Sequence, residues 1–143
     1  MTMTKLAAAA IAAALSVLPV SGVQAQSAYR HAGEARACED THILSKIIDR
    51  FRHQVRNVPN LPDVEIREFR LIHEQRNHIA TEDWPVPRRY CGATVDLSDG
   101  YSREIWYLIE GGMGLASIGD NVEFCVAGFD RWYVYNGRCR VLR

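Results

Sequence analysis

The four cysteines are the residues of this sequence with the best-defined chemistry: Cys38, Cys91, Cys125 and Cys139. Zinc-binding cysteines usually come in short pairs of the form C-x₂₋₄-C, whereas consecutive cysteines here lie 53, 34 and 14 positions apart. An even number of cysteines in a small exported domain is typical of disulfides. We therefore expect two disulfides, with buried free thiols as the alternative, and neither a metal site nor another cofactor.

Histidines and carboxylates offer another route to chemistry, but their spacing indicates no reaction. The candidates are His42, His53, His73, His78, Glu82-Asp83, Asp96 with Asp99, and Glu104 with Glu110. None of the histidines lies in an H-E-x-x-H motif, and no serine lies in G-x-S-x-G. A carboxylate pair of the glycosidase type must also flank a cleft, which nothing in the sequence requires. The sequence thus favours a non-enzymatic protein, with a small envelope hydrolase or a hydrolase inhibitor as the alternative.

Aromatic and arginine side chains concentrate near the C-terminal end of the chain. The candidate binding residues are Arg131, Trp132, Tyr133, Tyr135 and Arg140, and Arg138 and Arg143 add further charge. Trp, Tyr and Arg are the residue types enriched at binding hot spots. The cluster predicts a surface for an envelope component, either a protein or a glycan. The alternative is that Trp132 and Val134 pack inward and that the arginines form a solvated tail.

The N-terminal residues have the features of a secretory signal peptide. Residues 1–25 combine one lysine, an apolar run and small residues before the expected cleavage point at Ala25, which is the pattern of a signal peptide. A retained anchor is the alternative, but the apolar run is short for a membrane span. We expect a flexible lead-in over residues 26–37, a single domain over residues 38–143, and a periplasmic or secreted location without a stable membrane span after cleavage.

The charge balance argues against nucleic acid as a partner. The chain has 17 basic and 17 acidic residues, so its formal net charge is zero with histidines neutral. Removal of the signal peptide would take away Lys5 and no acid. A chain without a basic excess has no long-range field to attract nucleic acid.

One helix is well defined by the sequence. Asp40 and Thr41 are suitable N-caps, and the apolar residues that follow recur at helical spacing: Ile43, Leu44, Ile47, Ile48, Phe51 and Val55. This is the stripe of an amphipathic helix. Pro59 predicts that the helix ends near Asn57.

The rest of the chain predicts antiparallel strands. Residues 63–75 are expected to form a strand with a bulge near Arg67–Glu68, with a helix as the competing interpretation, and residues 76–89 to form a linker. Residues 90–97 and 103–110 alternate around the Asp99-Gly100 turn signal, which predicts a hairpin. A connection over residues 111–121 then leads to a strand over residues 122–128. Residues 131–135 are expected to extend that strand or to form a fifth one.

These elements predict an α+β domain in which the helix packs on an antiparallel meander of three to five strands. In a meander, the strands of Cys91 and Cys125 would be separated by one strand, at about 10 Å for two strand spacings. A disulfide needs Cα atoms within about 7 Å. The strand order therefore favours the pairs Cys38–Cys91 and Cys125–Cys139, which would staple the fold.

The C-terminal half also resembles a group of small exported alphaproteobacterial proteins of unassigned function. The resemblance is carried by Cys91-Gly92-Ala93, Ser98-Asp99-Gly100, Trp106-Tyr107, Val122-Glu123-Phe124-Cys125-Val126, Gly128-Phe129-Asp130-Arg131, Tyr135-Asn136-Gly137 and Cys139-Arg140. It implies a periplasmic bacterial setting and carries no catalytic residues or mechanism.

Overall fold

A computed structural model describes residues 36–143 of the chain. The predicted signal peptide and almost all of the predicted lead-in lie outside the described residues. The elements are a 3-10 turn at Ala37–Glu39, helix α1 at Thr41–Asn57, strands β1 at Ile66–His78, β2 at Arg88–Leu97 and β3 at Ser102–Glu110, a 3-10 turn at Leu115–Ser117, and strand β4 at Asn121–Val126.

Helix α1 forms as the sequence predicts. The Asp40 carboxylate accepts a hydrogen bond from the His42 backbone N–H at 2.7 Å, which satisfies a donor that the first helical turn leaves free. One stripe of the helix is buried: Ile43, Ile47, Phe51 and Val55. The helix ends at Asn57, two residues before Pro59.

The four strands form one antiparallel sheet in the order β1-β2-β3-β4. The predicted meander is therefore confirmed, as is the Asp99-Gly100 hairpin, in which Gly100 has a φ of +83° that favours glycine. The pairing of β1 shifts register between Ile66 and Glu68, which confirms the predicted bulge.

Strand β1 is shifted along the chain relative to the prediction, because it begins at Ile66 instead of residue 63 and ends at His78 instead of residue 75. Its last residues, Arg76, Asn77 and His78, pair with Tyr90, Arg89 and Arg88. The predicted linker over residues 76–89 is therefore wrong at both ends, and the connecting loop covers residues 79–87 only. The end of β1 and the beginning of β2 are set by the pairing of these two strands, which the polar composition of residues 76–89 does not reveal.

The face of the sheet that α1 covers, here called the inner face, holds the main core. Cys91, Val95, Ile105, Tyr107 and Val122 are at most 1% exposed there, packed with the buried stripe of the helix. The Tyr107 hydroxyl donates a 2.5 Å hydrogen bond to the Cys38 carbonyl oxygen. The disulfide Cys38–Cys91 joins the start of the helix to β2 beside that contact.

The opposite, outer face is partly covered by residues 127–143, here called the C-terminal segment. Four residues form a second buried cluster, Leu108, Cys125, Cys139 and Leu142, with Tyr90, Trp106 and Tyr135 packed around it. Trp106 is half-buried in this cluster. The C-terminal segment consists of turns, so the predicted strand over residues 131–135 is wrong.

Candidate functional site

Two disulfides attach the start of α1 and the C-terminal segment to the sheet. Cys38 pairs with Cys91 and Cys125 pairs with Cys139, with Cα–Cα distances of 5.8 and 5.6 Å. Both predicted pairs are confirmed. Cys91 and Cys125 lie on strands separated by β3, as the meander order requires.

The C-terminal segment begins on the main core. Phe129 is 4% exposed, and its ring centroid lies 5.0 Å from that of Phe51 on α1. The Gln54 side chain donates a 2.9 Å hydrogen bond to the Phe129 carbonyl oxygen. A few residues on, the Asp130 carboxylate accepts a 3.2 Å hydrogen bond from the Tyr135 backbone N–H. These contacts fix both ends of the turn that contains Trp132 and Tyr133.

The backbone of the segment is locally unfavourable. Four consecutive residues have left-handed φ angles: Asn136 at 60°, Gly137 at 65°, Arg138 at 51° and Cys139 at 58°. Tyr133 is also left-handed, at 56°. This conformation costs roughly 1–2 kcal/mol for each residue other than glycine. The segment must therefore be held by its surroundings, and the Cys125–Cys139 disulfide and the fully buried Leu142 provide the anchors.

Side chains engage backbone groups just before β4 and on its free edge. Lys46 Nζ donates to the Asp120 carbonyl oxygen at 2.9 Å, and the Arg50 guanidinium donates to the carbonyl oxygen of Val122. Burial raises the pKa of the Tyr135 phenol, and a hydrogen bond from the Phe124 backbone lowers this pKa by a smaller amount. Edge groups that are satisfied in this way cannot pair with another strand.

The segment turns its aromatic residues toward solvent. Trp132 is 65% exposed, Tyr133 73% and Val134 68%. The alternative in which Trp132 and Val134 pack inward is therefore wrong, because the left-handed turns end the strand alternation on which it depended. Tyr135 differs from its neighbours, since it is half-buried against the second cluster.

Arginines surround Tyr133 on two sides. A pocket of about 470 Å³ is lined by Tyr133, Asn136, Gly137, Arg138, Arg140 and Arg143. An adjoining pocket of about 350 Å³ is lined by Asn60, Leu61, Pro62, Gly128, Asp130, Arg131, Tyr133 and Arg138. We name the set Arg131, Trp132, Tyr133, Arg138, Arg140 and Arg143 the aromatic–arginine surface.

The structure thus brings together four of the five predicted binding residues, Arg131, Trp132, Tyr133 and Arg140. Tyr135, the fifth, supports the surface from below. Asn60–Pro62, which follow α1 and are distant along the chain, were not among the predicted site residues. Only the position of the segment beside the end of the helix brings them to the second pocket.

A separate group of exposed apolar residues lies at the other end of the sheet. It comprises Ile79 and Trp84 on the loop after β1, and Met113, Leu115 and Ile118 on the loop before β4. The two loops touch, because the Gly111 N–H donates to the Pro87 carbonyl oxygen at 3.0 Å. Both stretches were predicted to be connections only. Their large apolar residues, set among turn-forming ones, were the available signal for an exposed apolar group.

Catalytic groups do not converge in the pockets that surround these surfaces. Each of four pockets of about 350–470 Å³ is lined by at most one His, Asp or Glu side chain. Within residues 36–143, no group of three or more His, Cys, Asp or Glu side chains is placed to hold a metal ion. His73 packs against Gly92, with its ring within 2.8 Å of where a Cβ would stand, so it fills space on the outer face.

Comparison of the chain with known protein families, with curated proteins and with solved structures finds no match. The disulfides themselves are compatible with a protein that folds in an oxidising compartment outside the cytosol. In the part of the chain that the structure describes, no helix is long and apolar enough to cross a membrane.

Proposed function

We propose that this protein is an exported, non-enzymatic binding domain that recognises a component of the cell envelope through the aromatic–arginine surface. The observation that carries the proposal is the exposure of Trp132 and Tyr133 on a segment that a disulfide fixes to the sheet. Large aromatic side chains lose apolar contact with solvent when a partner covers them. Such residues on a fixed segment are a site prepared for binding.

A fixed segment also favours affinity. Binding costs free energy when loops or side chains become ordered at an interface, and a site that is already ordered avoids part of this cost. The Cys125–Cys139 disulfide, the buried Leu142 and the hydrogen bond between Asp130 and Tyr135 hold the surface in one shape before a partner arrives. An unfavourable backbone that is held by its surroundings is typical of functional sites.

We further propose that residues 1–25 direct export to the periplasm of a bacterium or to the outside of the cell. The signal-peptide pattern and the resemblance to small exported alphaproteobacterial proteins support this location. Oxidising conditions there would allow both disulfides to form.

The binding proposal is tested by crosslinking in the native envelope. A photoreactive probe placed at Val134, which is exposed beside the aromatic residues, should give a defined crosslinked species. Trp132→Ala should abolish that species and leave the far-UV circular dichroism spectrum unchanged.

Trp84→Ala is the matched control, because Trp84 is 69% exposed at the other end of the sheet. It removes the same side chain at a similar exposure and should leave the crosslink intact. Equal capture by the folded Trp132→Ala variant and the native protein would overturn the proposal.

A further inference from the structure

We propose that the ligand of the aromatic–arginine surface is an anionic glycan, a saccharide that carries carboxylate, sulfate or phosphate groups. This inference rests on the proposed function, because it names the ligand class of the same site. It is carried by the juxtaposition of the exposed Tyr133 ring with the arginines of the two pockets that this residue lines.

The charge of the site is the first argument. The two pockets that flank Tyr133 are lined by four arginines, Arg131, Arg138, Arg140 and Arg143, and by one acid, Asp130. The Asp130 carboxylate is already engaged by the Tyr135 N–H. The chain as a whole has no net charge, so this local excess of cations is a property of the site. Guanidinium groups match the geometry of carboxylate, sulfate and phosphate oxygens.

The availability of these cations is the second argument. Arg138 lines both pockets, and its side chain has no hydrogen bond or ion pair within the described residues. Arg140 uses its Nε to donate a 3.0 Å hydrogen bond to the Asn136 carbonyl oxygen, which fixes the side chain and leaves its terminal nitrogens open. Arg143 lies 5.3 Å from the Trp106 ring centroid. One free and two positioned guanidiniums thus face the larger pocket.

The aromatic rings are the third argument. Tyr133 lines both basic pockets, Trp132 precedes it in the chain, and both side chains are mostly exposed. The face of an aromatic ring carries partial negative charge and attracts polarised hydrogens. The C–H bonds on the flat face of a sugar ring provide such hydrogens. A saccharide can therefore stack on these rings while its anionic groups reach the arginines.

A glycan fits the site better than an acidic peptide. Extended peptides commonly bind by adding a strand to an open sheet edge. On the edge of β4, Arg50 engages the Val122 carbonyl oxygen and Tyr135 engages the Phe124 backbone. An acidic peptide would have to displace these contacts in order to pair with β4 as a strand. A saccharide does not require strand pairing.

The test is a set of titrations by isothermal calorimetry with four probes of matched length. These are an oligogalacturonate, a sulfated dextran, a neutral dextran and an oligoglutamate. The carboxylated and sulfated saccharides separate the two kinds of anion, the neutral dextran reports stacking alone, and the oligoglutamate represents the acidic peptide. We expect at least one anionic saccharide to bind more tightly than the oligoglutamate and the neutral dextran, with an affinity that falls as salt is added.

Two variants locate the binding. Arg138→Gln should weaken the anionic saccharide by about tenfold, the loss expected for one charge-assisted hydrogen bond. Arg67→Gln is its control, because Arg67 is exposed on β1 and the substitution removes the same charge away from the site. Tyr133→Ala should weaken binding as well, whereas Tyr101→Ala, at a tyrosine 64% exposed on the hairpin, should not.

Tighter binding of the oligoglutamate than of either anionic saccharide, with the same dependence on Arg138, would overturn the glycan assignment and leave the proposed function standing. Equal losses in Arg138→Gln and Arg67→Gln would also overturn it, because the attraction would then be non-specific. Absence of binding by all four probes would overturn it too. The proposed function fails by a different result, an unchanged crosslink in Trp132→Ala.

Discussion

The two faces of the sheet are covered by different means. On the inner face, α1 contributes to a cluster of seventeen buried residues, and its cap, stripe and end all follow from local sequence. On the outer face, the C-terminal segment packs over a cluster of four buried residues with several backbone angles in the left-handed region. The inner face therefore supplies the stability of the domain, and the outer face supplies a fixed surface.

The difference places most of the stability of the domain away from the proposed binding surface. Burial of a large apolar side chain contributes about 1.5–3 kcal/mol, so the larger cluster dominates the free energy of unfolding. The smaller cluster can hold a segment whose conformation would not form alone. Variants of the inner face should unfold the whole domain, whereas variants of the outer face should release only the C-terminal segment.

The largest effect is expected from Phe51→Ala. Phe51 is fully buried and contacts Phe129, so its truncation leaves a cavity under the helix and should reduce the free energy of unfolding by about 3–5 kcal/mol. Urea unfolding followed by far-UV circular dichroism measures the loss. Phe69→Ala, at a half-buried position on β1, is the control and should cost less. An equal cost at both positions would contradict the dominance of the helix-covered core.

Leu142→Ala should have a smaller and more local effect. Leu142 is fully buried in the second cluster, and we expect a loss of about 2 kcal/mol, the low end for a buried leucine. Hydrogen exchange should show faster exchange in residues 127–143 and unchanged protection in β2 and α1. Val141→Ala, at a residue 54% exposed, should leave both regions as they are. Faster exchange throughout the domain would mean that the two faces are one cooperative unit.

Tyr107→Phe tests the link between the core and the Cys38 turn. It leaves the Cys38 carbonyl oxygen without its buried donor and should cost about 1–3 kcal/mol. Burial raises the pKa of Tyr107 above its ordinary value of 10.0, so the folded state favours the neutral phenol. The contribution of Tyr107 to the free energy of unfolding is fully present below pH 10.0 and is lost as the pH rises toward the folded-state pKa.

Urea midpoints between pH 8 and 11 measure this dependence. Stability of the native protein should fall at the alkaline end, and Tyr107→Phe should show a weaker fall. Tyr101→Phe removes an exposed hydroxyl and should behave as the native protein does. A Tyr107→Phe variant with the native alkaline slope would contradict the assignment.

The smallest effect is expected from Asp96→Asn on the open part of the outer face. The Asp96 carboxylate accepts hydrogen bonds from Arg70 at 2.6 and 2.7 Å and from Ser102 at 2.6 Å. The hydrogen bond from Arg70, followed by that from Ser102, lowers the pKa of Asp96 from 3.8. The contribution of Asp96 to the free energy of unfolding is present above pH 3.8 and is lost as the pH falls through the lower folded-state pKa.

Because this pair lies in solvent, the urea midpoint of Asp96→Asn at pH 7 should stay close to the native one. Asp83→Asn, on the loop after β1, is the control for a change of charge alone. A loss for Asp96→Asn as large as that for Leu142→Ala would show that the open part of the outer face matters more than the covered part.

The sequence predicted the inner face far better than the outer one. Helix α1, the hairpin at Asp99-Gly100 and the bulge after Ile66 depend on neighbouring residues, so local patterns identify them. The predicted strand order in turn predicted both disulfides, Cys38–Cys91 and Cys125–Cys139. The C-terminal segment depends on distant contacts, through Cys125 and the second cluster. Its alternating residues 131–135 therefore suggested a strand, and the exposure of Trp132 stayed open.

The candidate site was predictable in composition and not in shape. The enrichment in Trp, Tyr and Arg pointed to a part of the chain in which Trp132 and Tyr133 are exposed. Which side chains are exposed was decided by the left-handed turns, and residues other than glycine rarely adopt them. Asn136-Gly137 was a turn signal, but nothing local indicated that Arg138 and Cys139 would continue the same handedness.

The central claim is that the Cys125–Cys139 disulfide holds a binding surface on a domain that remains folded without it. The decisive measurement is capture by the crosslinking probe at Val134 in a Cys125→Ser/Cys139→Ser variant. The disulfide closes a short loop, so its removal should cost about 3 kcal/mol in the chain-entropy treatment.

We predict that this variant keeps the native protection of α1 and β2 in hydrogen exchange and loses the Trp132-dependent crosslink. Native-like capture by the folded variant would contradict the claim, because the surface would then not need the disulfide. Loss of protection throughout α1 and β2 would contradict it as well, because the C-terminal segment would then be part of what keeps the domain folded.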